Sequence, residues 1–130
     1  MVSPVSSFTI LIVEDDQAMA QMCAKLIRRR GYAAVIADSC VDALSIVRTP
    51  GDVDAVVSDV QMPQMSGFEF LSRVREFNAD IPVILMTGYT NIVSSAEALA
   101  LGATDYLAKP FSPATLICSL EKAFLHRPAV

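Results

Sequence analysis

The chain is short of histidine, cysteine and positive charge, and it has no long apolar run; each shortage removes a class of protein. His126, close to the end, is the only histidine, so there is no ligand set for a structural zinc ion. Cys23, Cys40 and Cys118 are widely spaced, odd in number and form no Cys-x-x-Cys pair. They read as buried free thiols, with Cys23 and Cys118 on apolar faces of predicted helices. No apolar stretch is long enough to cross a bilayer. The opening Met1-Val2-Ser3-Pro4-Val5-Ser6-Ser7 lacks the basic-then-apolar order of a secretory signal. It reads as a short loose leader over residues 1–7, and a cytoplasmic location is expected. The net charge of −4 argues against direct nucleic-acid binding, which needs clustered Lys and Arg. The only basic run, Arg28-Arg29-Arg30, falls in the last turn of a predicted helix, where cations favour the helix dipole, and reads as a solvated helix end.

What the chain does have is apolar content, 53% of 130 residues, enough for one domain with a real core. Short apolar runs alternate with helical patterns five times. Strands are predicted at Phe8–Val13, Ala33–Ile36, Ala55–Ser58, Val83–Met86 and Thr104–Leu107, short enough to be buried on both faces. The first helix is predicted from Gln17 to Arg30, with Met19, Cys23, Leu26 and Ile27 inward and Gly31 as its stop. The second starts after Ser39, turns Val41, Leu44 and Val47 inward and ends before Pro50. The third opens on Ser66-Gly67-Phe68-Glu69, a capping-box pattern, with Phe68, Leu71 and Val74 inward. The fourth runs from Asn91 to Leu101 and stops at Gly102. The fifth opens on Ser112-Pro113, with Leu116, Ile117, Leu120 and Phe124 inward. The repeat implies one doubly wound α/β domain with a parallel sheet and right-handed crossovers.

Polar residues sit where these strands end. Asp59 follows Ala55-Val56-Val57-Ser58, and Glu14 and Asp15 follow Thr9-Ile10-Leu11-Ile12-Val13. Thr87 follows Val83-Ile84-Leu85-Met86, and Lys109 follows Tyr106-Leu107-Ala108. Carboxyl ends of neighbouring parallel strands open on one crevice, so these five groups converge. Taken singly, each has an ordinary reading: a helix-opening acid pair, a strand-end cap, a surface lysine. Jointly those readings need several coincidences. Lys109 gains further weight because no Lys or Arg lies between Arg75 and it.

Four segments carry a resemblance. Ile12-Val13-Glu14-Asp15-Asp16, Ser58-Asp59-Val60-Gln61-Met62-Pro63-Gln64-Met65-Ser66-Gly67, Met86-Thr87-Gly88 and Tyr106-Leu107-Ala108-Lys109-Pro110-Phe111 together resemble the receiver domain of bacterial response regulators. The resemblance covers residues 8–126 and leaves 127–130 as a tail or the start of a linker. It implies a flavodoxin-like (βα)5 fold with strand order 2-1-3-4-5, the order the chemotaxis regulators of this family have. It also implies two-component signalling. Asp59 would accept a phosphoryl group from a histidine kinase or histidine phosphotransfer protein. Asp15, Asp59 and the backbone carbonyl of Gln61 would bind Mg²⁺ directly, with Glu14 reaching it through water. A hard divalent ion suits carboxylates that would otherwise crowd one another. Asp16 reads as the cap of the first helix. Lys109 would pair with Asp59 and then with phosphate as a point charge, and Thr87 would donate its hydroxyl to phosphate. Lys109-Pro110 resembles the family's cis peptide, and Met62-Pro63 and Gly67 shape the loop after the acceptor.

Switching would involve Thr87 and Tyr106, with the fourth helix, fifth strand and fifth helix as the face that reads out. The fourth helix carries almost no charge, unlike the dimer face of the winged-helix branch of the family, and this argues against such a dimer. No external metabolite is expected to be turned over; the chemistry is limited to the domain's own phosphorylation and dephosphorylation. The competing reading is a phosphate-independent interaction module on the same fold, which would be expected to lose the acceptor, the lysine or one of the acid pair; none is lost. Glu14-Asp15-Asp16-Gln17 offers neither the Asp-x-Asp of a dehalogenase-type phosphatase nor the phosphate loop of a flavodoxin. Fold alone would not separate these. Kinase, signal and output are left open.

Overall fold

The structure is a computed structural model, and it describes residues 8–88 and 95–125. The leader over 1–7, the first part of the predicted fourth helix (91–94) and the tail from His126 lie outside the described residues. Strands β1 (Thr9–Val13), β2 (Ala33–Ala37), β3 (Ala55–Asp59), β4 (Val83–Thr87) and β5 (Asp105–Ala108) alternate with helices. These are α1 (Gln17–Arg29), α2 (Cys40–Arg48), α3 (Gly67–Phe77), α4 (Ser95–Ala100) and α5 (Pro113–Leu125). The sheet is parallel throughout, in the order β2-β1-β3-β4-β5.

Side chains alternate across the sheet with the period of two that strands impose. Leu11, Val13, Val56 and Leu85 point to the α2–α3–α4 side, where they meet Leu44, Val47, Phe70, Leu71, Val74 and Ala98. Ile10, Ile12, Val57, Ile84 and Met86 point the other way, against Cys23, Ile27, Leu116 and Leu120 of α1 and α5. Strands β3 and β4 are buried at every residue. The edge strands β2 and β5 are not, since Ala33, Val35 and Ala108 face solvent, so the expectation of burial on both faces fails there.

Helix starts follow the predicted capping chemistry. Asp16 accepts from the Met19 N–H, Ser39 from Asp42, Ser66 from Glu69 and Ser112 from Thr115, each near 3.2 Å. The capping box at α3 is half formed, because the Glu69 carboxylate is taken by Arg73 at 3.0 Å. Gly31 and Gly102 follow α1 and α4 at φ values of 101° and 107°, the left-handed turn that glycine adopts without penalty.

The rotational setting of four helices departs from the predicted faces, starting with α1, where Ala20 and Ala24 are buried beside Cys23 and Ile27 while Met19 and Leu26 are half-buried. In α2 the buried stripe is Cys40, Ala43, Leu44 and Val47, and Val41 is 52% exposed. In α3 Phe70 is fully buried beside Leu71 and Val74, while Phe68 stays half-buried at the rim of the sheet. In α5 Ser119 turns inward to donate to Asp105 at 2.6 Å, which leaves Cys118 exposed and Ile117 half-buried. The basic run at the end of α1 is more than a solvated end. Arg28 donates to the Ala34 carbonyl at 3.0 Å, and Arg30 forks onto Glu121 of α5 at 2.7 and 3.0 Å.

Candidate functional site

The carboxyl ends of β1, β3, β4 and β5 carry the five polar residues singled out from the sequence. Asp59 and Thr87 are the last residues of their strands rather than the first of loops. Asp59 lies opposite Met86 and Thr87 opposite Ala108 in the ladder. Pairing runs on past both, with Val60 N–H donating to Met86 and Lys109 N–H to Thr87. Glu14 prolongs β1 in the same way, its N–H donating to the Ala37 carbonyl at 3.1 Å. Fixed backbone thus sets each of these side chains at the crevice.

Glu14, Asp15 and Asp59 present carboxylate oxygens that all lie within 4.8 Å of one another. Glu14 is 2% and Asp59 6% exposed, whereas Asp15 faces solvent. Lys109 places its Nζ 2.9 Å from Glu14 Oε1 and 3.3 Å from Asp59 Oδ2. Glu14 Oε2 also accepts the Asp16 N–H, and Asp59 Oδ1 accepts the Gln61 N–H at 3.3 Å. Lys109 thus pairs with two carboxylates, and Asp15 adds a third acid to the cluster.

The titration of Glu14 reflects that imbalance. Burial raises its pKa and the Asp59 charge raises it further, which together outweigh the lowering by Lys109 and by the Asp16 N–H. Burial works against the Lys109 ammonium, but the Glu14 hydrogen bond and the Asp59 and Glu14 charges overcome it and hold its pKa above the ordinary value. Two buried thiols, one on each face of the sheet, feel the charges of the site. Burial, aided by the nearby charge of Glu14, pushes Cys23 up to about 11, and burial with Asp59 does the same to Cys40. Neither is a nucleophile at neutral pH.

The loop after Asp59 returns tightly. Met65 N–H donates to the Pro63 carbonyl at 2.8 Å across Gln64, whose φ is 70°. Gly67 N–H then donates to the Val60 carbonyl. A Cβ on Gly67 would lie 2.5 Å from the Asp59 carbonyl oxygen and 2.9 Å from Val60 Cα. Only glycine lets the first turn of α3 rest against the backbone of Asp59 and Val60. Lys109-Pro110 is cis, as the resemblance implied.

Tyr106 lies one strand-pair away, opposite Leu85. Its ring packs against Phe68 at 6.5 Å between centroids, and its hydroxyl is buried without a hydrogen-bond partner among the described residues. Two contacts had no signal in the sequence: Lys109 is nearer to Glu14 than to Asp59, and Phe68 meets Tyr106. Glu14 and Lys109 are 95 positions apart, and nothing local marks them as partners.

A parallel α/β sheet whose strand ends gather a buried carboxylate, two further acids, a lysine and a threonine is a crevice site of the doubly wound class, with three carboxylates close enough together to hold a metal ion. Comparison with known proteins makes the assignment specific. The family model for the response regulator receiver domain matches residues 10–121, and the chain belongs to that family. It is 38% identical over 121 residues to the transcriptional regulatory protein ZraR of Escherichia coli (strain K12), covering 93% of this chain and 27% of that protein. It is 32% identical over 125 residues to the response regulator SaeR of Staphylococcus aureus (strain USA300), covering 92% of this chain and 54% of that one. The chain thus spans between about a quarter and about half the length of these relatives. The crystal structure of a response regulator receiver domain protein from Clostridium thermocellum superposes with a TM-score of 0.85 at 26% identity, covering 91% of this chain and 94% of that chain.

Proposed function

We propose that this chain is the phospho-acceptor of a two-component phosphorelay, with Asp59 as the residue that carries the phosphoryl group. The arrangement of Asp59 at a strand end, 3.3 Å from Lys109 and clustered with Glu14 and Asp15, supports this reading above all else. An Asp59 carboxylate oxygen attacks phosphorus, a P–O bond forms, and the P–N bond to the donor imidazole breaks. The imidazole nitrogen leaves with the bonding pair, and an acyl phosphate results. The donor is a histidine kinase or a histidine phosphotransfer protein, and the exchange takes place in the cytoplasm.

The donor set fits Mg²⁺. All side-chain ligands are hard oxygens, and the cluster has more negative charge than Lys109 neutralises. Asp15, Asp59 and the Gln61 carbonyl would hold the ion, with Glu14 acting through water. Bound Mg²⁺ supplies charge neutralisation for the phosphoryl oxygens. Lys109 supplies a fixed ammonium for one of those oxygens, and Thr87, wholly buried at the end of β4, a hydroxyl for another. Thr87 and Tyr106 would then carry the change to α4, β5 and α5.

The test is intact-mass measurement after incubation with Mg²⁺ and acetyl phosphate. Wild type is expected to gain one phosphoryl adduct, which does not form when Mg²⁺ is chelated before acetyl phosphate is added, and Asp59→Asn none. An adduct of equal yield on the variant would overturn the assignment, and no adduct on either protein would favour a phosphate-independent interaction module.

A further inference from the structure

The end of α4 far from the acidic cleft is tied down by one side chain. Arg75, half-buried near the end of α3, donates from Nε to the Gly102 carbonyl at 2.9 Å. Its Nη1 donates to the carbonyls of Ile81 at 2.7 Å and Asn78 at 3.2 Å. One planar guanidinium thus joins the end of α3, the entry to β4 and the turn that leaves α4. A lysine ammonium has no such fork. The neighbouring turn converges on it: Asn78 Oδ1 accepts from both Asp80 and Ile81 N–H at 3.0 Å, which draws the two α3–β4 carbonyls to the same side.

The α4 end itself is a closed structure. Ala103 N–H donates to Ala98 and Gly102 N–H to Leu99, the paired bonds of a Schellman turn, with Ala98 and Ala103 both buried. The chain then locks onto β4, because Thr104 N–H donates to the Val83 carbonyl and Val83 N–H to Thr104 Oγ1. The same kind of turn closes α1 at Gly31, whose carbonyl receives no guanidinium among the described contacts. At Gly102 the fit is close enough that a Cβ would lie 3.2 Å from Arg75 Cγ. Val83 and Thr87 are the two ends of β4, about 13 Å apart at strand rise. The tie therefore lies at the opposite end of the sheet from the acidic cleft.

We propose that Arg75 is a positioning residue that pins the Gly102 end of α4 to α3 and β4, so that a rearrangement of α4 driven from the acidic cleft is a rotation about Gly102. Displacement then grows from Gly102 toward Ser95. The rotation rests on the phospho-acceptor reading; the pin does not.

Two measurements on Arg75→Met and Arg75→Lys separate the parts. The first is amide hydrogen exchange of the resting protein. Exchange at Leu101, Gly102 and Ala103 is expected to rise about tenfold in both variants, with Val56 and Ile84 unchanged, because one bonded end opens locally. Unchanged protection at those three amides in both variants would overturn the pin; should Arg75→Met not fold, Arg75→Lys carries the comparison. The second is the amide shift change on adding beryllofluoride with Mg²⁺. Wild type is expected to show changes that shrink from Ser95 to Gly102, and Arg75→Lys changes of similar size along that stretch. A wild-type gradient preserved in the variant would overturn the rotation. No response in wild type would overturn it together with the phospho-acceptor reading, while the exchange result still decides the pin.

Discussion

Lys109 stands between two buried carboxylates, and its removal separates charge from packing. The folded protein raises the Glu14 pKa, so the native state holds that proton more tightly than the unfolded chain. The stability this contributes is full below the unfolded value near 4.5 and is lost as pH rises through the folded value. The raised pKa of Lys109 acts in the same sense but higher, its contribution being lost only as pH rises through a folded value above 10.5. Lys109→Met leaves Glu14 and Asp59 without their counter-charge. It should destabilise the metal-free protein by about 3 kcal/mol at pH 7, and the loss should shrink as pH falls toward 4.5 and Glu14 takes up its proton. Urea unfolding across that range measures it, and a loss independent of pH would mean that Lys109 contributes packing alone. The residues of this site were legible because each follows an apolar run. The pairing of Lys109 with Glu14 was not, because a contact across 95 positions leaves no local trace.

At the scale of elements, the number and order of strands and helices followed from apolar periodicity and capping residues. The rotational setting of the helices followed less well, and the reason is specific. Small or weakly apolar residues hold the buried positions of α2 and α5: Cys40 and Ala43 in one, Ser119 and Ala123 in the other. Hydropathy ranks Val41 and Cys118 above or level with them, so the pattern points outward residues inward. Cys118 is exposed while Cys23 and Cys40 are buried with raised pKa values. One thiol in the native protein is therefore expected to react with a disulfide reagent at neutral pH, and all three after unfolding. Rapid reaction of two or more in the native state would contradict the settings of α1 and α2. The junction of α3 with the acceptor strand is similarly exacting. Gly67→Ala forces a Cβ into the Asp59 carbonyl and should destabilise the fold by about 2 kcal/mol while slowing phosphoryl uptake. Chemical unfolding and the acetyl phosphate rate give the two readouts, and an unaffected rate would show that the position of Asp59 does not depend on this contact.

Across the whole molecule, one sheet order places four strand ends beside each other and so assembles a site from residues 14 to 109. Strands β3 and β4 are buried throughout and carry Asp59 and Thr87 at their ends, while Asp15 stays open to solvent. The most direct test locates the phosphoryl group itself. The protein is phosphorylated with acetyl phosphate and Mg²⁺, the acyl phosphate is reduced with labelled borohydride, and the labelled residue is found by peptide mapping. Label confined to Asp59 is the expected result. Label on Glu14, Asp15 or Asp16 instead would contradict the assignment of the acceptor and, with it, the reading of the cleft.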